Sequence, residues 1–226
     1  MKIGLFGGTF DPIHWAHLRS AEEVREAFSL DRVLFIPASR PPLKKKHPGA
    51  SAEDRLEMVR LATARNPAFR VSKVELARPG KSFSIDTIRH FVHRQPKDSH
   101  YFILGFDAFR QIGSWKDFKE IFPLCHLVVT SRPGCGNSLS LHRMPVAVRR
   151  LFCYKKDKHA YRHTSGTYLF FLKITDISIS ASEIRDRLRE GKTIRYLVPL
   201  EVEGYIKRKG LYRRRQEEGD NEIDRR

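Results

Sequence analysis

The chain has 226 residues, of which 40% are hydrophobic and 11% aromatic, so it can bury a sizeable core and is not of the disordered class. Its 43 Lys and Arg outnumber 26 Asp and Glu for a formal net charge of +17, a field that favours anionic partners such as nucleotides, phosphates or RNA without choosing among them. No apolar run approaches the roughly 20 residues of a membrane-spanning helix, and no signal-peptide core with a cleavage site opens the chain.

The three cysteines, Cys125, Cys135 and Cys153, contain no CxxC pair. They suit neither a disulfide framework nor a zinc site and fit a reduced, cytoplasmic protein. In chain order, the short apolar run at 2–6, ended by Gly7 and Gly8, reads as a buried strand. Residues 15–30 carry apolar positions at helical spacing with no internal Pro or Gly, and 32–37 is a second buried strand. The Pro-rich, basic stretch 38–50 is a loop. Residues 51–65 read as a helix with Ser51 as N-cap and Asp54 at the capping-box position. The stretch 69–76, FRVSKVEL, alternates like a strand, and 84–94 reads as a helix. Further strands are expected at 101–105, 126–130 and 168–174, followed by a helix after Ser180 and a short C-terminal helix over 199–210.

This alternation predicts an α/β fold, a parallel sheet with helices on both faces and a small C-terminal helical part. The strands lack polar alternation, as strands covered on both sides do. Residues 1–212 are expected to form one domain. Residues 134–166 read as an irregular basic insert, and 213–226 as a charged, disordered tail. Seven Lys and Arg against one Asp crowd into 141–165. This stretch reads as a solvated basic surface in preference to a contact for RNA or another polyanion.

Two stretches carry the chemistry. In a parallel sheet, ligands bind beyond the carboxyl ends of the strands, and GLFGGTFDPIHWAHL (4–18) lies at that end of the first strand. Gly7 and Gly8 let backbone approach a ligand, Thr9 offers a hydroxyl, and the helix beginning near Trp15 presents free N–H groups to an anion. His14 and His17 lie three residues apart and share a face on a first helical turn. Together these make a phosphate grip. The bland alternatives are a plain turn and a histidine metal pair, although no third ligand stands nearby. The stretch is neither GxGxxG nor GxxxxGK[ST], which disfavours dinucleotide binding of the usual kind and Walker-type phosphate transfer. The second stretch is ISISASEIR (177–185), in which Ser180 caps a helix, Glu183 takes the capping-box position and Arg185 follows. Alone it is an ordinary capped helix.

GGTFDPIHWAH resembles the (G)GTFDPxHxGH signature of the nucleotidylyltransferase superfamily, departing at Ala16, where that pattern has Gly. ISISASEIR resembles its ISxTxIR motif, with Ala181 and Ser182 as conservative variants. Between them the chain resembles one branch, the bacterial nicotinate-mononucleotide adenylyltransferases. FIPASRPPLKKK resembles their IPxxxPPHK loop, with Leu43 where His is usual and Lys44 retained. GKSFSIDTI resembles xxSYTIDTL, ILGFDAFRQIGSWKDF matches IxGxDxxxxxxxW, and VVTSRPG matches the xxxRPG after the fifth strand. IRYLVPLEVEGYIKRKGLY resembles the C-terminal YxVPxxVxxYIxxxxLY. The likeness covers roughly 1–212.

The resemblance implies a Rossmann-like doubly wound fold and adenylyl transfer from ATP to nicotinate mononucleotide with Mg²⁺, and no protein metal site. It places His14, His17, Lys44 and Arg185 at the transferring and leaving phosphates. It also places ATP on Gly7, Gly8, Thr9, Phe10, Gly105, Asp107, Arg132, Ile179 and Ser180, together with His14, His17 and Arg185. The mononucleotide falls to Gly8, Thr9, Lys44, Ser84, Asp107, Trp115 and Arg132. The residues themselves allow these roles. Asp107 can accept from ribose hydroxyls, Trp115 can stack on a planar ring, Ser84 and Thr87 start a helix whose N–H groups suit a carboxylate, and Arg132 can pair with phosphate. The bare alternatives are a helix-cap Asp, a half-buried core Trp and a surface Arg. Rival readings are the same reaction on nicotinamide mononucleotide, transfer to another phosphate acceptor such as phosphopantetheine or glycerol phosphate, and an RNA-binding or regulatory protein that kept the fold without the chemistry. No DNA and no membrane partner is expected.

Overall fold

The computed structural model describes residues 1–42, 49–131 and 145–213. The chain runs β1 (Lys2–Gly8), α1 (Trp15–Phe28), β2 (Arg32–Pro37), α2 (Ala52–Thr63), β3 (Phe69–Val71), α3 (Val74–Ala77), α4 (Ser84–Arg94) and β4 (Ser99–Gly105). It continues through α5 (Phe106–Arg110), α6 (Phe118–Leu124), β5 (His126–Thr130), α7 (Val146–Arg149), β6 (Phe152–Lys155), β7 (Ala160–His163), β8 (Tyr168–Leu172), α8 (Ala181–Arg189) and α9 (Leu200–Lys209). The strands form one sheet in the order β3-β2-β1-β4-β5-β8-β7-β6. From β3 to β8 all pairings are parallel, and β7 and β6 continue the sheet antiparallel.

Both sheet faces are buried, which is why the strands read as unbroken apolar runs. The period of two sorts their side chains. Ile3, Leu5, Leu34, Ile36, Phe102 and Leu104 face a cluster closed by α4, α5, α6 and α7 through Ile85, Phe109, Phe122 and Val148. Phe6, Val33, Phe35, Tyr101 and Ile103 face the other way, under α1, α2, α8 and α9, where Val24, Val59, Ile184 and Val202 close the layer. The C-terminal helices thus belong to this second layer. Ser51 caps α2 as its sequence predicts, its Oγ accepting the Asp54 N–H at 3.0 Å.

Two expectations need correction. FRVSKVEL forms a strand only over Phe69–Val71, and Val74–Ala77 is a short helix. Pairing ends with the Ser72 N–H donating to the Phe35 carbonyl at 2.9 Å. Glu75 then turns inward, where it accepts a hydrogen bond from the Thr87 hydroxyl at 2.7 Å. A buried carboxylate partner overrides the alternation that reads as a strand. The 134–166 stretch, so far as it is described, is not irregular. It holds α7 and the β6–β7 hairpin, which pairs Phe152 with His163 and Tyr154 with Tyr161. Phe152 anchors the hairpin edge-on against Phe122 at 5.1 Å. The other three residues of β6 are exposed, so the strand lacks the buried apolar run of the central strands.

β1 and β4 lie side by side, yet β1 feeds α1 on one face and β4 feeds α5 and α6 on the other. Strand order reverses here, and the carboxyl ends of these two strands open a crevice.

Candidate active site

A cleft of ≈ 620 Å³ occupies that crevice. It is lined by Gly7, Gly8, Thr9 and Phe10 at the end of β1, by His14 and His17 at the start of α1, and by Gly105 at the end of β4. Ile179, Ser180 and Arg185, from the entry to α8, close the other side. The two sequence motifs, far apart in the chain, therefore face one space.

The glycine pair has two separate jobs. A Cβ on Gly8 would lie 2.8 Å from the ring of Phe10. That ring folds back over the strand end because Phe10 takes a left-handed backbone (φ 48°), and it is buried edge-on to His17 at 5.1 Å. A Cβ on Gly7 would meet nothing closer than Phe102 at 3.9 Å, and one on Gly105 would meet nothing within 4 Å. These last two positions leave open space between the strand ends.

His14 is the N-cap of α1, and its backbone N–H donates to His17 Nδ1 at 3.3 Å. The two rings stack at 3.7 Å with 27° between their planes. An Nδ1 that accepts leaves the ring proton of a neutral imidazole on Nε2. His17 is thereby fixed in one tautomer, a donor at the start of a helix whose dipole already favours anions. Ser180 Oγ accepts the Glu183 N–H at 3.1 Å and so caps α8. One turn on, Arg185 Nη1 donates to the Asp11 backbone carbonyl at 2.6 Å and Nη2 to Ser182 Oγ at 3.2 Å. The guanidinium is held at the cleft wall by neutral acceptors, with donors to spare.

Three further residues support the site, none of them assigned a role from the sequence. Asp11 is buried. Its carboxylate accepts from the N–H groups of Gly49 (2.8 Å) and Ala50 (3.1 Å) and from the Tyr212 hydroxyl (2.8 Å). Arg55 on α2 is 1% exposed. Its Nη1 donates to the carbonyls of Thr9 (2.8 Å) and Ala38 (2.6 Å), its Nη2 to Ser39 (3.1 Å) and its Nε to Ala50 (3.3 Å). Burial lowers the pKa of this guanidinium, and the Asp11 charge works against that shift. Burial and the neighbouring Asp11 charge push the Tyr212 hydroxyl well above the ordinary tyrosine range. Asp11 and Tyr212 sit inside stretches that carry the family resemblance, whereas Arg55 looks like any helical surface arginine.

Of the residues expected at the acceptor, Gly8 and Thr9 line this cleft, and Ser84, Asp107 and Trp115 do not. Ser84 opens α4, Asp107 is exposed in the first turn of α5, and Trp115 follows the short 3₁₀ turn after α5, all on the face closed by α4–α6. Thr87, expected with Ser84 at a free helix start, is instead turned to Glu75. Trp115 is half-buried, edge-on to Phe102 at 6.2 Å, so it packs on the core as its bare sequence reading holds. Its indole Nε1 is nevertheless buried and meets no acceptor among the described residues, a hydrogen-bond donor of the kind a ligand satisfies. Lys44 and Arg132 lie outside the described residues. Among the described residues no group of three or more His, Cys, Asp or Glu could hold a metal ion, so His14 and His17 gain no third metal ligand there. No helix among them is long and apolar enough to cross a membrane.

Residues 5–187 match the family model described as cytidylyltransferase-like. The chain is 50% identical over 212 residues to a Geobacter sulfurreducens protein named probable nicotinate-nucleotide adenylyltransferase, covering 94% of this chain and 98% of that one. A Syntrophotalea carbinolica protein of the same name is 48% identical over 213 residues, with the same coverage. In fold the chain is similar to Plasmodium falciparum nicotinic acid mononucleotide adenylyltransferase complexed with NaAD, at a TM-score of 0.72 and 18% identity over 93% of this chain and 97% of that one. A cleft built on GTFDP and a capped α8, matched along most of its length by these relatives, places the chain in the cytidylyltransferase-like family, among the nicotinate-nucleotide adenylyltransferases.

Proposed function

We propose that the chain catalyses attack of the 5′-phosphate of nicotinate mononucleotide on the α-phosphorus of ATP, giving nicotinate adenine dinucleotide and pyrophosphate. One observation carries this reading: the cleft at the β1–β4 reversal brings the His14–His17 stack and Arg185 onto one space from opposite ends of the chain. ATP fits the side of α1 and α8, where helix N-termini, imidazoles and a guanidinium meet its phosphates. Nicotinate mononucleotide fits the side of α4–α6. There Trp115 offers a ring face and a free indole N–H, Ser84 a helix start and Asp107 a ribose acceptor.

The attacking phosphate is already largely ionised at neutral pH, its second pKa being about 6. No general base is required, and the chemistry rests on in-line positioning and charge stabilisation. The Nε2–H of His17 is the donor assigned to the α-phosphate as its charge shifts in the transition state. His14 supports that ring by stacking. Arg185, joined by Lys44, balances the leaving pyrophosphate. Mg²⁺ belongs to this reading as an ion carried by the triphosphate, where it spreads the phosphate charge. The carboxylate of Asp11 is already engaged by three donors, so the cleft suits a nucleotide that brings the ion on its own oxygens.

The test is pyrophosphate release from ATP with nicotinate mononucleotide, nicotinamide mononucleotide or phosphopantetheine as acceptor. Release is expected to be fastest with the nicotinate compound. Faster release with another acceptor reassigns the substrate, and no release with any of them overturns the enzyme reading. His17→Ala should lower kcat about 10²–10³-fold, the usual loss for a transition-state donor, and near-normal turnover would remove His17 from its role.

A further inference from the structure

Arg185 does not make a close ion pair with Asp11, although its Nη1 stands only 3.6 Å from Asp11 Oδ2. Its short bond goes to the Asp11 backbone carbonyl instead. The reason lies in what already fills the carboxylate. Gly49 N–H occupies Oδ2, and Ala50 N–H and the Tyr212 hydroxyl occupy Oδ1. Tyr212 reaches this point from the end of the described chain, 201 residues away in sequence. It holds a left-handed backbone (φ 65°), and its ring is buried against Gly49. Arg55, buried on the far side, contributes positive charge to the same carboxylate while its own donors hold the Thr9, Ala38, Ser39 and Ala50 carbonyls.

We infer that Tyr212 is a positioning residue for the phosphate site: its hydroxyl satisfies Asp11, and so keeps the Arg185 guanidinium turned to the cleft and away from a closed ion pair. The inference rests on reading Arg185 as a phosphate contact. Without the hydroxyl, the buried carboxylate loses a charge-assisted donor at Oδ1. Its charge is shared between both oxygens, so the pull at Oδ2 rises as well, and there the guanidinium stands at 3.6 Å. Closing to about 2.8 Å, the ordinary length of such a bond, completes the ion pair. Low local dielectric strengthens the pull. A displacement of about 1 Å at a catalytic contact costs up to 10²-fold in rate, so this smaller one is expected to cost about 10-fold.

The experiment is a double-mutant cycle read as kcat for pyrophosphate release from ATP and nicotinate mononucleotide. Tyr212→Phe removes the hydroxyl and keeps the ring. It should lower kcat about 10-fold at temperatures where its circular dichroism and melting curve show a folded protein. Arg185→Gln should lower kcat further, and Tyr212→Phe added to it should cost nothing more, because there is no guanidinium left to misplace. A second variant reaches the same contact without removing a hydrogen-bonding group, since alanine keeps the N–H that Gly49 donates to Asp11. A Cβ on Gly49 would lie 2.9 Å from the Tyr212 ring and 3.2 Å from Arg185 Cδ, so Gly49→Ala should also lower kcat and should also fall silent in the Arg185→Gln background. The outcomes separate cleanly. A wild-type kcat in Tyr212→Phe beside a disabled Arg185→Gln overturns the inference alone, as does a Tyr212→Phe loss that multiplies fully through the double variant. A wild-type kcat in Arg185→Gln removes Arg185 from the phosphate site and overturns the reading beneath it.

Discussion

Replacing Gly8 by Ala tests the geometry of the phosphate loop against its own neighbour. The added methyl would lie 2.8, 2.9 and 3.1 Å from three atoms of the Phe10 ring. Ordinary carbon contacts run at about 3.5–4.0 Å, so ring and methyl must separate by roughly 0.7 Å. The ring has little room to yield. It is 2% exposed, with Phe6 at 5.7 Å, Phe35 at 5.8 Å and His17 at 5.1 Å around it. Overpacking of this kind costs about 1–3 kcal/mol, and the lower backbone entropy of Ala in the unfolded chain returns about 0.4–1 kcal/mol. The net loss is about 1–2 kcal/mol, which for a chain of this size is a fall in Tm of about 2–8 °C. Gly7→Ala, one residue earlier in the same strand, is the control. Its methyl meets only Phe102 at 3.9 Å, so it keeps the entropic gain and should hold or raise Tm by about 1–4 °C. The two variants are compared by thermal denaturation. Gly8→Ala should also lower kcat, since the displaced ring leans on His17. Equal melting temperatures for the two variants would refute the packing argument.

Trp115→Ala should raise KM for the mononucleotide and leave KM for ATP nearly unchanged, and an unchanged mononucleotide KM would move the ring site elsewhere. Cys125 is buried, which pushes its thiol up to about 12, whereas Cys153 is exposed on β6. Peptide mapping after iodoacetamide treatment at pH 8 should therefore find Cys153 modified and Cys125 protected until the chain unfolds. Burial holds the Glu75 carboxyl above the ordinary carboxylate range, although hydrogen bonds from Thr87 and Ser82 pull the other way. A pKa raised on folding gives stability that is complete below the unfolded value and is lost as pH rises through the folded one. Glu75→Gln, which cannot ionise, should accordingly gain stability over the parent between pH 4 and pH 8 in urea titrations, and a difference that does not change with pH would show that Glu75 does not titrate in this way.

The fold was legible wherever apolar periodicity and punctuation agreed. Arg32–Pro37 and His126–Thr130 are strands with the limits read from the sequence, and Ser51 and Ser180 cap the helices they precede. The reading failed where a polar residue went inward or where only a few residues of a strand pair are buried. Glu75 lies inward in a short helix within an alternating stretch, and the hairpin rests on Phe152, Ala160 and Tyr161. The phosphate side of the site was legible because its residues lie in two short, dense stretches. The support was not. Arg55 acts through four backbone carbonyls, and nothing in its local sequence distinguishes an arginine pointing inward from one pointing out. Ser84, Asp107 and Trp115, expected at the acceptor from the resemblance, stand on the face closed by α4–α6, and no spacing rule puts them on one face before the strand order is known.

Under the proposed function, that strand order also supplies the line of reaction. In-line transfer needs the incoming phosphate and the leaving pyrophosphate on opposite sides of the α-phosphorus. A sheet whose connections reverse between β1 and β4 has a helix layer on each side of one gap. His17 and Arg185 stand at the layer of α1 and α8, and Ser84 and Trp115 at the layer of α4–α6. What divides them is the end of two strands, and there the chain places Gly7 on β1 and Gly105 on β4, neither of which puts an atom into the gap. A side chain at either position would stand between nucleophile and phosphorus. Gly105→Ala is therefore the sharper probe of the chemistry, because a Cβ there meets nothing within 4 Å in the free protein. The N-cap loses a few tenths of a kcal/mol or somewhat more when Ala replaces Gly, which the unfolded-state gain largely offsets, so Tm should stay close to the parent. Any large fall in kcat then reports substrate in that space. Full activity with an unchanged Tm would mean that the phosphates do not cross between the strand ends, and the transfer would have to be placed elsewhere.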